Sequence, residues 1–117
     1  MIAKDDSGQV MGFVSGYRIP ARPEVLFVWQ VVVSAKARGQ GLAGRMIQAL
    51  LESDSCHKVT HLETSITNDN DAYWGLFKKL ASKLSAPTGE TVMFDKDAHF
   101  AGNHATEMLF RIGPFSH

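Results

Sequence analysis

The stretch Leu26-Phe27-Val28-Trp29-Gln30-Val31-Val32-Val33 constrains this chain more than any other. It is apolar and β-branched, broken only by Gln30, and reads as a buried strand. After the short segment Ser34-Ala35-Lys36-Ala37 comes Arg38-Gly39-Gln40-Gly41-Leu42-Ala43, a glycine-spaced turn that opens a helix. Glycines let the backbone approach a ligand closely, and the unpaired N–H groups of a helix's first turn favour an anion placed there. A strand, a glycine loop and a helix in this order make a cradle of pyrophosphate size.

Other phosphate loops compete for the same residues. Gly39-Gln40-Gly41-Leu42-Ala43-Gly44 also spells the dinucleotide fingerprint G-x-G-x-x-G. In that motif the turn follows the strand almost directly, whereas five residues, Ser34 to Arg38, intervene here. The acidic partner expected about 20 residues on would be Glu63, in the middle of its strand instead of at its end. The nucleotide-hydrolase loop fails because Arg45-Met46 follows Gly44 where Lys-Ser/Thr is required. An ordinary glycine-rich turn remains an alternative on the motif alone.

At 117 residues, one domain, residues 1–117, is expected, and it buries roughly two-thirds of its unfolded surface. Lys plus Arg and Asp plus Glu both number 12, so no net field draws the protein to nucleic acid or to an anionic membrane. Cys56 is the only cysteine, which excludes an internal disulfide or a cysteine-rich zinc site and points to a cytoplasmic setting. The five histidines, His57, His61, His99, His104 and His117, show no metal-ligand spacing, so no metal is expected. No apolar run reaches the roughly 20 residues of a membrane span, and the first residues lack signal-peptide character.

Periodicity orders the rest. Residues 9–17 form a strand after an Asp5-Asp6-Ser7-Gly8 turn, with only Ile2, Ala3 and Lys4 before it. Residues 18–23 are expected to be a loop, since Pro20 and Pro23 cannot both join a ladder. The central strand spans residues 25–33, and a helix over residues 41–53 carries Leu42, Ala43, Met46, Ile47, Leu50 and Leu51 on one face. A strand over residues 61–67 leads to Asn68-Asp69-Asn70-Asp71, whose side chains suit capping of a second helix. Pro87 with Gly89 is expected to end that helix. Residues 91–95 and 108–112 read as a closing antiparallel pair joined by a loop over residues 97–106. The fold class is α/β layered, with one parallel crossover.

The spacing Arg38-x-x-Gly41-x-Ala43 resembles the coenzyme A loop of the GCN5-related N-acetyltransferase family. Phe27-Val28-Trp29-Gln30-Val31, Leu62-Glu63-Thr64-Ser65-Ile66-Thr67-Asn68-Asp69-Asn70, Leu76-Phe77 and Leu109-Phe110-Arg111-Ile112-Gly113-Pro114 are similar, more narrowly, to the diaminobutyrate acetyltransferases of ectoine synthesis. The resemblance covers residues 8–114. It implies the α+β fold of that family, a mixed, mostly antiparallel central sheet flanked by helices. Members carry a further N-terminal strand and helices, and this chain is expected to correspond to the C-terminal two-thirds of the fold. In the family the strands matching residues 26–33 and 61–67 splay, and the pantetheine arm lies in the gap.

The resemblance implies acetyl transfer from acetyl-CoA to the side-chain amine of L-2,4-diaminobutyrate, a small-molecule acceptor, by a homodimer. An alkylammonium with a pKa near 10 is protonated at pH 7, and freeing its lone pair costs about 4 kcal/mol, so a base or water relay is expected. Glu63 is a candidate base through water, with a structural strand carboxylate as the alternative. His104 and Glu107 are candidates for the acceptor amine and its proton, against a solvated polar loop, an alternative that His99 shares. Trp29 and Tyr17 are candidate pocket residues; Trp29 could otherwise contact a second subunit, and core packing is its alternative.

Val31 and Val33 are expected to offer backbone contacts to the coenzyme, with an N–H for the developing oxyanion. Arg38, Gly39, Gln40, Gly41, Leu42 and Ala43 would hold the pyrophosphate. Asn70 is expected at the pantetheine, or as an N-cap. Phe77, where many relatives carry a tyrosine that protonates the thiolate, is expected to lie along the coenzyme, which is compatible with a place in the core, and cannot donate a proton. Tyr73, one turn earlier, is not assigned that role. Phe100, Phe110 and Phe115 suit either a dimer contact or the core. Another small amine as acceptor, or a non-catalytic coenzyme-binding module, are the competing functions.

Overall fold

The computed structural model describes residues 1–94 and 107–116. Backbone proximity divides the chain into two compact units, Met1–Val59 and Thr60–Ser116.

In the first unit, strands β1 (Ile2–Lys4), β2 (Val10–Ile19) and β3 (Arg22–Val33) form an antiparallel meander. The β1–β2 turn is held by Asp5, whose Oδ1 accepts from the Ser7 N–H, the Ser7 hydroxyl and the Gln9 N–H. Those bonds, the Ser7 hydroxyl foremost, hold its carboxyl below the ordinary carboxylate value. The expected loop over residues 18–23 is instead a tight hairpin. Ile19 pairs with Arg22 around a Pro20-Ala21 turn, and the register then jumps to Arg18 against Leu26. Pro23 falls in that irregularity, where no ladder N–H is required of it.

A second irregularity matters more. The register steps from Ser15 against Gln30 to Gly16 against Val28, which leaves Trp29 as the extra residue of a bulge on β3. Helix α1 (Leu42–Leu51) packs on β2 and β3 through Met46, Ile47 and Leu51, and keeps Arg45, Ala49 and Glu52 exposed.

In the second unit, β4 (His61–Thr67) and β5 (Thr88–Phe94) flank β6 (Glu107–Ile112), all antiparallel. β5 starts three residues before the expected strand, and its Gly89 lies in the ladder instead of ending a helix. Helix α2 (Asp71–Lys83) begins at Asn70, whose side-chain oxygen accepts from the Tyr73 N–H at 3.2 Å. It ends earlier than Pro87. Ser85 takes a left-handed φ of 52°, and the Ala86 and Ser85 N–H groups close back on the carbonyls of Ala81 and Ser82.

Phe77, Leu80 and Ala81 of α2 are buried, Trp74 meets the edge of Phe110, and the Trp74 indole N–H donates to the Thr67 carbonyl at 3.1 Å. Phe110 and Phe115 are core residues, 0% and 7% exposed, which takes them out of any dimer contact. Phe100 lies outside the described residues. Among the described residues no helix is long and apolar enough to cross a membrane.

Candidate active site

In the first unit, β3 ends at Val33 and a single 3-10 turn, Ala35–Ala37, leads to the glycine loop. Gly39 and Gly41 hold φ values of +81° and +70°, and Gly41 is the N-cap of α1. A Cβ at either position would meet nothing within 4 Å, so both glycines face open space. Side chains within the loop brace it: the Arg38 Nε donates to the Val33 carbonyl at 3.4 Å, the Gln40 amide to the Lys36 carbonyl at 3.5 Å, and Arg45 Nη2 to the Gln40 carbonyl at 3.2 Å. No side chain caps the helix, and its ladder starts with the Arg45 N–H on the Gly41 carbonyl. The first-turn N–H groups of Leu42 and Ala43 therefore stand ready for an anion, backed by the helix dipole. Left-handed glycines alternating along a loop are the kind of backbone that builds an anion-binding nest, and Gly39 and Gly41 provide that alternation here.

Val31 and Val33 lie opposite Val14 and Gly12, with half-buried side chains. Trp29 is 58% exposed, against the alternative of core packing, and Tyr17 is exposed with its ring 5.7 Å from that of Phe27.

In the second unit, Glu63 is 2% exposed and its Oε2 lies 3.7 Å from Arg111 Nε on the paired position of β6. The guanidinium gives this buried carboxylate its counter-charge. The register continues along the same sheet face through Ser65 against Leu109 to Thr67 against Glu107. Glu63 and Glu107 thus share a face with their backbones about 13 Å apart along the strands. His104, His99 and His117 lie outside the described residues.

Asn70 fulfils its capping role. Phe77 has no exposed surface and packs in the core. The aromatic half-exposed on this helix face is Tyr73, 5.0 Å from Phe77 between ring centroids and hydrogen-bonded to the Thr64 hydroxyl. Burial raises the Tyr73 phenol above its ordinary value, offset in part by Thr64. A phenol raised on folding stabilises the native state fully below about pH 10 and loses that contribution as pH rises through its folded value. Tyr73→Phe is therefore expected to show a smaller fall in Tm between pH 8 and pH 10.5 than the unsubstituted protein. Equal falls in thermal melts would contradict this.

Residues 1–81 match the Acetyltransferase (GNAT) family. The chain belongs to that family. It is 54% identical over 114 residues to the L-2,4-diaminobutyric acid acetyltransferase of Methylotuvimicrobium alcaliphilum, covering 97% of this chain and 66% of that protein. The protein of the same name from Chromohalobacter salexigens is 47% identical, over 97% of this chain and 59% of its own length. The chain thus spans about six-tenths of the length of these curated relatives. A solved structure of diaminobutyrate acetyltransferase EctA from Paenibacillus lautus, in complex with L-2,4-diaminobutyric acid and coenzyme A, is similar with a TM-score of 0.88 and 39% identity. That match covers 99% of this chain and 70% of the other. The fold is the GNAT fold, as the glycine loop and its flanking elements imply.

Two features of this GNAT chain escape sequence reading. Arg45 falls on the polar face of α1 in any helical projection, and only the loop conformation brings its guanidinium back to the Gln40 carbonyl. The bulge at Trp29 has no marker in an unbroken apolar run. Among the described residues no three His, Cys, Asp or Glu side chains gather as metal ligands.

Proposed function

We propose that this chain transfers acetyl from acetyl-CoA to the side-chain amine of L-2,4-diaminobutyrate, giving the N4-acetyl product of ectoine synthesis and so serving osmoprotection. The observation that carries the reading is the 54% identity, over nearly the whole chain, to an enzyme named for that acceptor. Both units are taken as parts of one acetyltransferase domain.

The glycine loop fits the coenzyme on its own chemistry: the glycines leave open space where a Cβ would stand, and a helix begins there whose first-turn N–H groups favour an anion, as a pyrophosphate requires. Arg38 to Ala43 would hold that group, with Val31 and Val33 contributing backbone contacts and Asn70 a side-chain amide. Acetyl-CoA supplies the acetyl group as a thioester. The residues of the chain bind the acceptor, free its amine and give an N–H to the oxygen that gains charge.

Two carboxylates on one sheet face suit a diamine with two ammonium groups. Glu107, with His104, would take the α-ammonium end, and Glu63 would accept the proton of the reacting amine through water. Trp29, set outward by its bulge, and Tyr17 would wall the acceptor. A cytoplasmic homodimer completes the proposal, and the exposed apolar side chains Ile2, Tyr17, Trp29 and Val32 suit burial against protein.

An acceptor panel tests the specificity. Initial rates with L-2,4-diaminobutyrate are expected to exceed those with ornithine, lysine and spermidine by at least about tenfold, as a misplaced charged group costs more than one methylene. Equal or faster turnover of another amine would replace the acceptor and keep the reaction.

A further inference from the structure

We propose that Arg45 is a positioning residue that sets the orientation of the Gln40–Gly41 peptide and thereby prepares the cradle for the coenzyme's pyrophosphate; this rests on the coenzyme reading above. The Arg45 Nη2 donates to the Gln40 carbonyl at 3.2 Å from the exposed face of α1. A trans peptide is planar, so its C=O and the next N–H point in opposite directions. Drawing the Gln40 carbonyl toward Arg45 turns the Gly41 N–H the other way.

This peptide needs such a tether. It joins Gln40 to Gly41, so it reorients through the ψ of Gln40 and the φ of Gly41, and Gly41, at φ +70°, carries no Cβ to resist that change. Rotation of the peptide unit would exchange the two ends. A carbonyl oxygen would then take the place of a donor in the concavity and repel the phosphate. The other braces of the loop do not hold this unit: Arg38 bonds Val33 and the Gln40 side chain bonds Lys36. Only Arg45, among the described residues, donates a side-chain hydrogen bond to the carbonyl of Gln40.

The bond is exposed, so it adds little to global stability. Its effect falls on the fraction of molecules whose loop is ready for ligand, and apparent affinity scales with that fraction.

Binding of coenzyme A and of dephospho-coenzyme A, which keeps the pyrophosphate and lacks the 3′-phosphate, tests this by calorimetry. Arg45→Met is expected to weaken both by about tenfold, the scale of one hydrogen bond to a charged ligand, with Tm unchanged. Arg45→Lys keeps a donor and is expected to stay within about threefold of the unsubstituted protein. Unchanged binding by Arg45→Met overturns the inference. A loss confined to coenzyme A overturns it as well, since Arg45 would then meet the 3′-phosphate directly. Failure of the unsubstituted protein to bind either ligand is a separate result that overturns the coenzyme reading and this inference with it.

Discussion

Gly113→Ala is expected to destabilise the protein by about 3 kcal/mol or more, from strain and overpacking together. Gly113 follows β6 and holds a φ of +137°. A Cβ there would stand 2.6 Å from the Thr60 carbonyl oxygen and 2.7 Å from the His61 ring. The first contact is with backbone that cannot swing aside. The Gly113 N–H donates to the Pro87 carbonyl at 2.9 Å, and the Phe115 N–H donates to the same Thr60 carbonyl at 2.9 Å. Displacing this turn therefore also disturbs the seating of Phe115 in the core. The chosen control is Gly75→Ala, on α2 with nothing within 4 Å of its Cβ, expected to gain about 0.5–1 kcal/mol from helix propensity. Urea unfolding measures both. A loss below about 1 kcal/mol for Gly113→Ala would show that this turn yields freely.

Gly41→Val is expected to raise the Kd for coenzyme A by about 100-fold while the protein remains folded. At φ +70° a β-branched residue is strained, and relaxing it moves the N-cap of α1. The new side chain also fills the open space in front of the first-turn N–H groups, which a pyrophosphate must enter. Gly113 is crowded by protein and its loss is read in stability. Gly41 is crowded by nothing, so its loss is read in ligand affinity. Gly89→Val, in β5 with nothing within 4 Å and no positive φ, should leave coenzyme binding unchanged. Affinity retained within threefold by Gly41→Val would remove the glycine loop from the coenzyme site.

How far the sequence was legible follows from which forces are local. The amphipathic stripe of α1 and the Asn70 cap of α2 are written in adjacent residues and the structure places each as read, whereas the apolar run is a strand as expected but buries only Leu26 and Val28 and leaves Trp29 and Val32 exposed. The hairpin at Pro20-Ala21 was hidden because a proline only excludes a ladder N–H, and Pro23 falls where the pairing skips. The end of α2 was hidden because Ser85 adopts the left-handed turn usually left to glycine. At the candidate site, the loop carries its own signature, whereas the Arg45 brace, the bulge at Trp29 and the Tyr73–Thr64 bond depend on tertiary placement. Glu63 was picked out as a carboxylate in a strand. That Arg111 faces it is a matter of β4–β6 register, which one-dimensional pattern does not specify.

Acyl transfer to a diamine yields two products, a free thiol and an acetylated amine, and each can be read. The most direct measurement is free thiol released from acetyl-CoA by the purified chain, with and without L-2,4-diaminobutyrate, with the acetyl position in the product located by mass spectrometry. Acceptor-dependent release with the acetyl group on the 4-amine is the expected result. No acceptor-dependent release from folded protein that binds coenzyme A would contradict it, and would leave a coenzyme-binding module in place of an enzyme.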